Sequence, residues 1–213
     1  MFRKISLLVV SSISVFAMNN VAVNIDAEDV EIGLGLDIGQ YNESIKPDTT
    51  FVGVRYLKVP NNTNGAAQFI NRKYFAEVNF LLRQEIKDTG LKIGLGMKTN
   101  FSAITGAASA GPSSNASFMS MPLGIGLSYP LPLKDFLPVE VSAKAYYAPQ
   151  ALSFLDASSF NEYRLNIKAE VIERGFMFVG YRYLNYRLNS NKHDIAANIT
   201  YNEAIYFGFK FEF

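Results

Sequence analysis

His193 is the chain's one histidine. It lies in the string LNSNKHDI, with Ser190 three residues before it and Asp194 directly after. Serine, histidine and aspartate are the residue types of a hydrolytic triad: a hydroxyl nucleophile, an imidazole base and a carboxylate that orients the base. Here all three fall on one short polar loop, whereas a working site needs its reacting groups held by a rigid surround. A solvated loop histidine is therefore the expectation, and the chain is read as a non-enzyme. A lipid hydrolase using His193 stands as the alternative. With no cysteine, disulfides, thiolate catalysis and cysteine-ligated zinc are excluded. A lone histidine likewise gives no multi-histidine metal site, so no cofactor or metal is expected. The small-residue strings NGAA (64–67) and GAASAGPSSNAS (106–117) lack the following helix and Lys-Ser/Thr pair of a phosphate cradle.

The second constellation is larger. Arg55, Glu77, Arg83, Lys92, Lys98, Glu140, Lys144, Glu162, Arg164, Lys168, Glu170, Arg182, Lys210 and Glu212 all sit on the polar side of alternating segments. Both signs are present in similar numbers. Enclosed charges must be paired or hydrogen-bonded, so the structural reading is a salt-bridged, hydrated plug. The functional reading is a narrow ion path lined by the same groups. A small barrel leaves little lumen, which favours the plug.

The segments that must position these charges repeat with a period of two. GLKIGLGMKTNF sets Leu91, Ile93, Leu95, Met97 and Phe101 against Gly90, Lys92, Gly94, Gly96, Lys98 and Asn100. EYRLNIKAEV, VEVSAKAYY and KYFAEVNFLLR do the same, which is the signature of strands with unlike faces. Eight strands are expected near 50–59, 72–84, 90–101, 118–129, 138–147, 160–172, 176–188 and 197–213. Their connections alternate long and short, as in an up-and-down antiparallel sheet whose two ends face different surroundings. VEIGLGLDIGQYN (30–42) also alternates and leaves three readings open: a short strand beside the closure point, a hairpin arm, or half of a first strand broken at Pro47.

The first 17 residues, MFRKISLLVVSSISVFA, have a basic start, an apolar stretch and small residues, the layout of a secretory signal peptide. Residues 18–213 then form one domain, and losing Arg3 and Lys4 takes the net charge from +1 to −1. That balance argues against a nucleic-acid partner. No later apolar run approaches the ~20 residues of a spanning helix. The apolar strand faces must nonetheless be covered. A soluble lipocalin-like binder of an apolar ligand would turn them inward. Three features favour lipid outside: the alternating connections, glycines mixed with charges on the polar face, and aromatics at strand ends (Tyr74, Phe101, Tyr129, Tyr147, Tyr163, Tyr183, Tyr201). The fold class expected is all-β, an eight-stranded antiparallel transmembrane β-barrel, with an extra N-terminal strand left open.

Four strings resemble the YfaZ family of bacterial outer-membrane proteins: YPLPL (129–133), YYAP (146–149), VGYRY (179–183) and the closing GFKFEF. The likeness is best from about residue 118 onward and architectural before that, and the 60–71 and 102–117 loops are longer than the family pattern. The resemblance implies a barrel in the outer membrane of a Gram-negative cell, with a structural, surface-interaction or small-pore (porin-like) role. The closing Phe207, Phe209, Phe211 and Phe213 resemble the terminal signal such barrels present to their insertion machinery. Outer-membrane lipid and that machinery are the partners implied, with the barrel itself a monomer.

Overall fold

In a computed structural model of the protein, the described residues are 20–58, 69–107, 114–133, 137–188 and 198–213. They form β1 (Asn20–Ile25), β2 (Val30–Asp37), β3 (Thr50–Lys58), β4 (Phe69–Glu85), β5 (Lys92–Ala107) and β6 (Ser114–Ser120). The second half supplies β7 (Leu123–Leu131), β8 (Val139–Ala148), β9 (Ser153–Leu155), β10 (Ala157–Ile172), β11 (Gly175–Leu188) and β12 (Asn198–Glu212). Ten of these close into an antiparallel barrel in the order β1-β2-β3-β4-β5-β7-β8-β10-β11-β12, with β12 returning to β1. β6 and β9 lie outside that ring. β6 prolongs β7 along β5 beyond a break at Met121 and Pro122, and β9 prolongs β8 and pairs with β6. Proline has no N–H to give, and its carbonyl takes the amide of Lys98 at 3.0 Å, which keeps the break hydrogen-bonded.

The eight expected strands are all present, but eight is the wrong count. Residues 20–25 and 30–37 form a short hairpin that fills the wall between β12 and β3, in the registers Asn20↔Glu212 and Asp37↔Phe51. The segment at 30–42 is thus a short strand beside the closure point, and its partner β1 makes the number even. β1 has only six residues and stops at the polar turn DAED, so it carries too little alternation to stand out. From β3 onward the links between wall strands still alternate, longer at 59–68, 108–122, 149–156 and 189–197 than at 86–91, 132–138 and 173–174, although β6 and β9 lie within two of the longer ones. The hairpin departs from that alternation, with four residues at 26–29 and twelve at 38–49. The proposed signal peptide, Ser190, His193 and Asp194 lie outside the described residues.

Side chains alternate across the wall as a pleated sheet requires. Each of the ten strands turns a large apolar residue outward: Val23, Ile32, Val54, Val78, Leu95, Ile125, Val141, Ile167, Met177 and Phe207 are all exposed. Phe207 and Phe211 of the closing strand face outward, Phe209 is half-exposed, and Phe213, just past the strand, is exposed at the vestibule mouth. Tyr74, Phe101, Tyr129, Tyr147 and Tyr163 are also outside, and Tyr183 stacks on Tyr163 at 6.1 Å. Tyr201 is a correction, because it is fully buried inside. A register shift between Leu184 and Asn185 of β11 places one extra β12 residue opposite them and reverses the parity of β12 there.

The barrel has a terminal end, carrying Asn20 and Phe213, and a distal end. The hairpin is too short to reach the distal end. Beyond its turn β12 and β4 have no strand between them, among the described residues. They are bridged instead by Arg72 Nη1 donating to the Tyr201 carbonyl (2.5 Å) and the Tyr201 hydroxyl donating to the Tyr74 carbonyl (2.5 Å).

Inward glycines make room for rings. A Cβ on Gly124 would stand 2.3 Å from the Tyr146 ring and 2.3 Å from the Ala145 carbonyl, and one on Gly96 would stand 2.4 Å from the Tyr146 hydroxyl. Gly124→Val forces that ring out of place, and overpacking of this kind costs about 1–3 kcal/mol. The expected outcome is a lower urea midpoint for the detergent-folded protein, read by tyrosine fluorescence or by loss of the fast-migrating folded band on gels.

Candidate functional site

β10 carries the whole axis of the lumen on its inward positions. From the distal end these are Phe160, Glu162, Arg164, Asn166, Lys168 and Glu170: an aromatic ring, two ions, an amide and two more ions. Other wall strands run in a similar sense, from rings at the distal end to polar groups and charges below. β4 gives Phe75, Glu77, Asn79, Leu81 and Arg83, and β11 gives Tyr186, Leu184, Arg182, Gly180 and Phe178. Three layers result.

The distal layer is an apolar core. Phe75, Phe118, Phe160, Tyr186, Tyr201, Leu57, Ile104, Leu184 and Ile199 are buried together. Phe118 and Tyr186 stack at 4.7 Å, Phe160 tilts against Tyr186 at 4.7 Å, and Tyr201 meets Tyr186 edge-on at 5.9 Å. The Tyr186 hydroxyl donates to Asn100 Oδ1 at 3.0 Å, so its polar end is satisfied within the core. At this height the strand pattern inverts. Asn115, Ser117, Arg187, Asn198 and Thr200 face outward while the apolar residues between them face in, as in a soluble protein.

Beneath it lies an ionic belt of four cations, Arg55, Lys98, Arg164 and Arg182, and five carboxylates, Asp26, Asp29, Glu31, Glu77 and Glu162. Glu162, 0% exposed, accepts from Arg55 Nη1 (2.9 Å), Lys98 Nζ (2.7 Å) and Arg164 Nε (2.7 Å). Glu31 accepts from Arg164 Nη2 (2.5 Å), Arg182 Nη1 (3.0 Å) and Asn24 Nδ2 (2.6 Å). Arg55 also pairs with Glu77. Asp26 takes Arg182 Nη2 at 2.9 Å, and its other oxygen caps the amides of Glu28 (2.9 Å) and Asp29 (2.7 Å) in the hairpin turn. Rings close the belt from both sides: the Arg55 guanidinium lies 5.2 Å from the Phe75 centroid, and the Lys98 ammonium 3.8 Å from that of Tyr146.

The third layer is a vestibule of about 900 Å³ open towards the terminal end, lined among others by Arg83, Lys92, Lys144, Lys168, Lys210, Glu140 and Glu212. Lys168 pairs with Glu140 at 3.3 Å and Lys210 with Glu212 at 2.6 Å. At the rim Asp48 pairs with Arg83 and accepts from Lys92 Nζ at 2.6 Å. Partial burial would raise the Asp48 carboxyl, but the Lys92 hydrogen bond and the Arg83 charge outweigh it and hold the group below the ordinary carboxylate range.

The structure places the charged residues named from the sequence at three heights of the barrel. They divide into a belt (Arg55, Glu77, Lys98, Glu162, Arg164, Arg182) and a vestibule set (Arg83, Lys92, Glu140, Lys144, Lys168, Lys210, Glu212). Glu170 stands apart at the β10–β11 turn, where it accepts from the Arg174 amide at 3.2 Å. Sequence reasoning missed Asp26, Asp29 and Glu31, all on the hairpin. The polar parity of VEIGLGLD, with Glu31 opposite Val30 and Ile32, was the available signal. Among the described residues, no cluster of His, Cys, Asp and Glu could hold a metal.

Fold and lumen together define a closed antiparallel β-barrel with its apolar side outward and its charges enclosed. The family model described as YfaZ precursor matches residues 90–213, from β5 to the end of the chain. The chain belongs to that family, and the match begins well before the stretch whose motifs carried the resemblance. None of the curated proteins compared with the chain matches it.

Removing one partner of a buried ion group strands the rest, typically at about 3–5 kcal/mol. Glu162→Leu, which leaves Arg55, Lys98 and Arg164 short of a shared acceptor, is expected to lower unfolding stability by that order. Glu170→Gln at the rim is expected to leave it nearly unchanged. Urea titration of the detergent-folded variants, side by side, measures the difference.

Proposed function

We propose that this protein is an outer-membrane β-barrel with a structural or surface-interaction role, and that its lumen is sealed rather than a standing pore. The observation that carries the reading is its polarity: all ten wall strands turn a large apolar residue outward, while the charges of the belt and vestibule are enclosed. A soluble ligand-binding barrel has the reverse arrangement.

The height of the apolar surface agrees. On β10 the outward series runs from Tyr163 to Ile172. At about 3.3 Å per residue and about 40° of tilt this is a rise of about 23 Å, against a band of about 25 Å in barrels of this class. Tyrosines mark its upper limit at Tyr74, Tyr147 and Tyr163, and Tyr129 lies near its lower one. Above the upper ring the pattern inversion gives the distal walls a polar exterior, suited to water outside the cell, and the terminal end then faces the periplasm. Membership of the YfaZ precursor family is compatible with export to that membrane. The apolar face of the closing strand, from Phe207 to Phe213, fits a contact with lipid and with the insertion machinery.

Sealing follows from the two inner layers. An ion crossing the lumen would have to part the belt and then cross a dry aromatic core, where an unpaired charge is heavily penalised. No discrete current steps are therefore expected from the wild-type protein in planar bilayers, whereas the double truncation Phe160→Ala with Tyr186→Ala thins the seal and is expected to admit them. Steps of stable amplitude from the wild type would restore the small-pore role. Location is read by fractionation: the protein should stay with the outer membrane, require detergent, and migrate faster unheated than heated. A folded monomer in plain buffer would remove the membrane reading altogether.

A further inference from the structure

Within the vestibule lies a recess of about 260 Å³, lined by Gly94, Gly126, Ser128, Ser142 and Lys144 of β5, β7 and β8 and by residues of the facing strands. One ladder row runs across it: Arg83 of β4 opposes Gly94 of β5, which opposes Gly126 of β7, then Lys144 of β8 and Arg164 of β10. Gly126 leaves the approach to Lys144 open, since even a Cβ there would make only ordinary contacts, with the Lys144 stem at 3.4 Å and the Ala143 carbonyl at 3.8 Å. Two residues along the ladder on the same face, Ser128 opposes Ser142.

Apart from Asn24 Oδ1 on β1, a buried acceptor without a partner, the polar groups left over in this recess are hydrogen-bond donors. Lys144 makes no ion pair and no hydrogen bond among the described residues, although it lies across the ladder from the Arg164 cation. Ser128 is 8% exposed and its hydroxyl has no partner. Arg83 gives Nη2 to Asp48, but its Nε is buried and unpartnered. The carboxylates that line the recess are already engaged, Glu31 with Arg164 and Arg182 and Glu140 with Lys168. A cavity whose spare donors are an ammonium, a guanidinium N–H and a hydroxyl is complementary to an oxyanion.

We propose that this recess binds a small oxyanion, the phosphate or carboxylate group of a solute entering from the terminal end. Lys144 supplies the charge, and Ser128 and Arg83 donate to its oxygens. The site rests on luminal geometry alone and does not depend on which membrane holds the barrel.

The test is calorimetric titration of the folded full-length chain in zwitterionic detergent at low ionic strength, with inorganic phosphate in one arm and sodium acetate in the other. Saturable one-site heat in either arm is expected. Phosphate alone assigns a tetrahedral anion, and heat in both arms assigns any carboxylate-sized group. Lys144→Gln should weaken binding about tenfold or more and Ser128→Ala a few-fold, while Lys168→Gln, whose ammonium is already paired, should change it less than about twofold. Non-saturating heat in both arms, or equal affinity for Lys144→Gln and wild type, overturns the site. Should Lys144→Gln fail to give the folded band, lysine acetylation of the wild type read by mass spectrometry decides. Anion-dependent protection of Lys144 beyond that of Lys168 supports the site, and equal labelling sinks it.

Discussion

Ions taken out of water inside a narrow barrel must find one another, and much of this architecture follows from that requirement. The strands from β3 onward bring four cations to mid-lumen, Arg55, Lys98, Arg164 and Arg182, but only two carboxylates, Glu77 and Glu162. The β1–β2 hairpin supplies the other three, Asp26, Asp29 and Glu31. The hairpin that completes the sheet also brings the charge of the belt close to balance. Without it Arg182, only 1% exposed, would keep Asn202 as a neighbour and no counter-charge. Backbone closure and ionic pairing are thus two demands met by one eighteen-residue segment, from Asn20 to Asp37.

The layers beside the belt act on it in opposite ways. On the distal side the aromatic core excludes water, which strengthens each ion pair and raises the penalty for separating it. Its rings also contribute directly, with Phe75 under Arg55, and from the terminal side Tyr206 lies within 5.3 Å of Arg182. On the terminal side the vestibule opens to solvent, and the charges paired at its rim, Asp48 with Arg83 and Lys92 and Lys210 with Glu212, are partly exposed. The barrel therefore has a rigid, dry half and an open, solvated half, and a small solute can reach the second without disturbing the first.

The long alternating strands were legible in the sequence because membrane-like polarity leaves a period of two over ten or more residues, as in β5 and β10. The luminal charges followed from the same parity. What escaped had physical causes. β1 is six residues long and abuts an apolar leader-like segment, so its alternation is too brief to register. Residues 114–117 and 157–159 read as loops because, beyond the apolar band, the outward positions turn polar and the inward ones apolar, which breaks the pattern set lower on the same strands. Tyr201 was placed outside because parity was carried through a register shift that no local sequence feature announces. The chemistry of His193 lies in a segment the structure does not describe.

The ladder between β1 and β12 joins the first described residue to the end of the chain, Asn20 to Glu212. In most hairpin-built sheets each strand finds its neighbour within a few tens of residues, but this last seam waits for nearly the entire polypeptide. A chain cut short before β12 would leave two bare backbone edges, on β1 and β11, and an acidic hairpin with no Asn202 to meet Asp29. Length itself becomes a condition for assembly, since incomplete copies cannot zip shut.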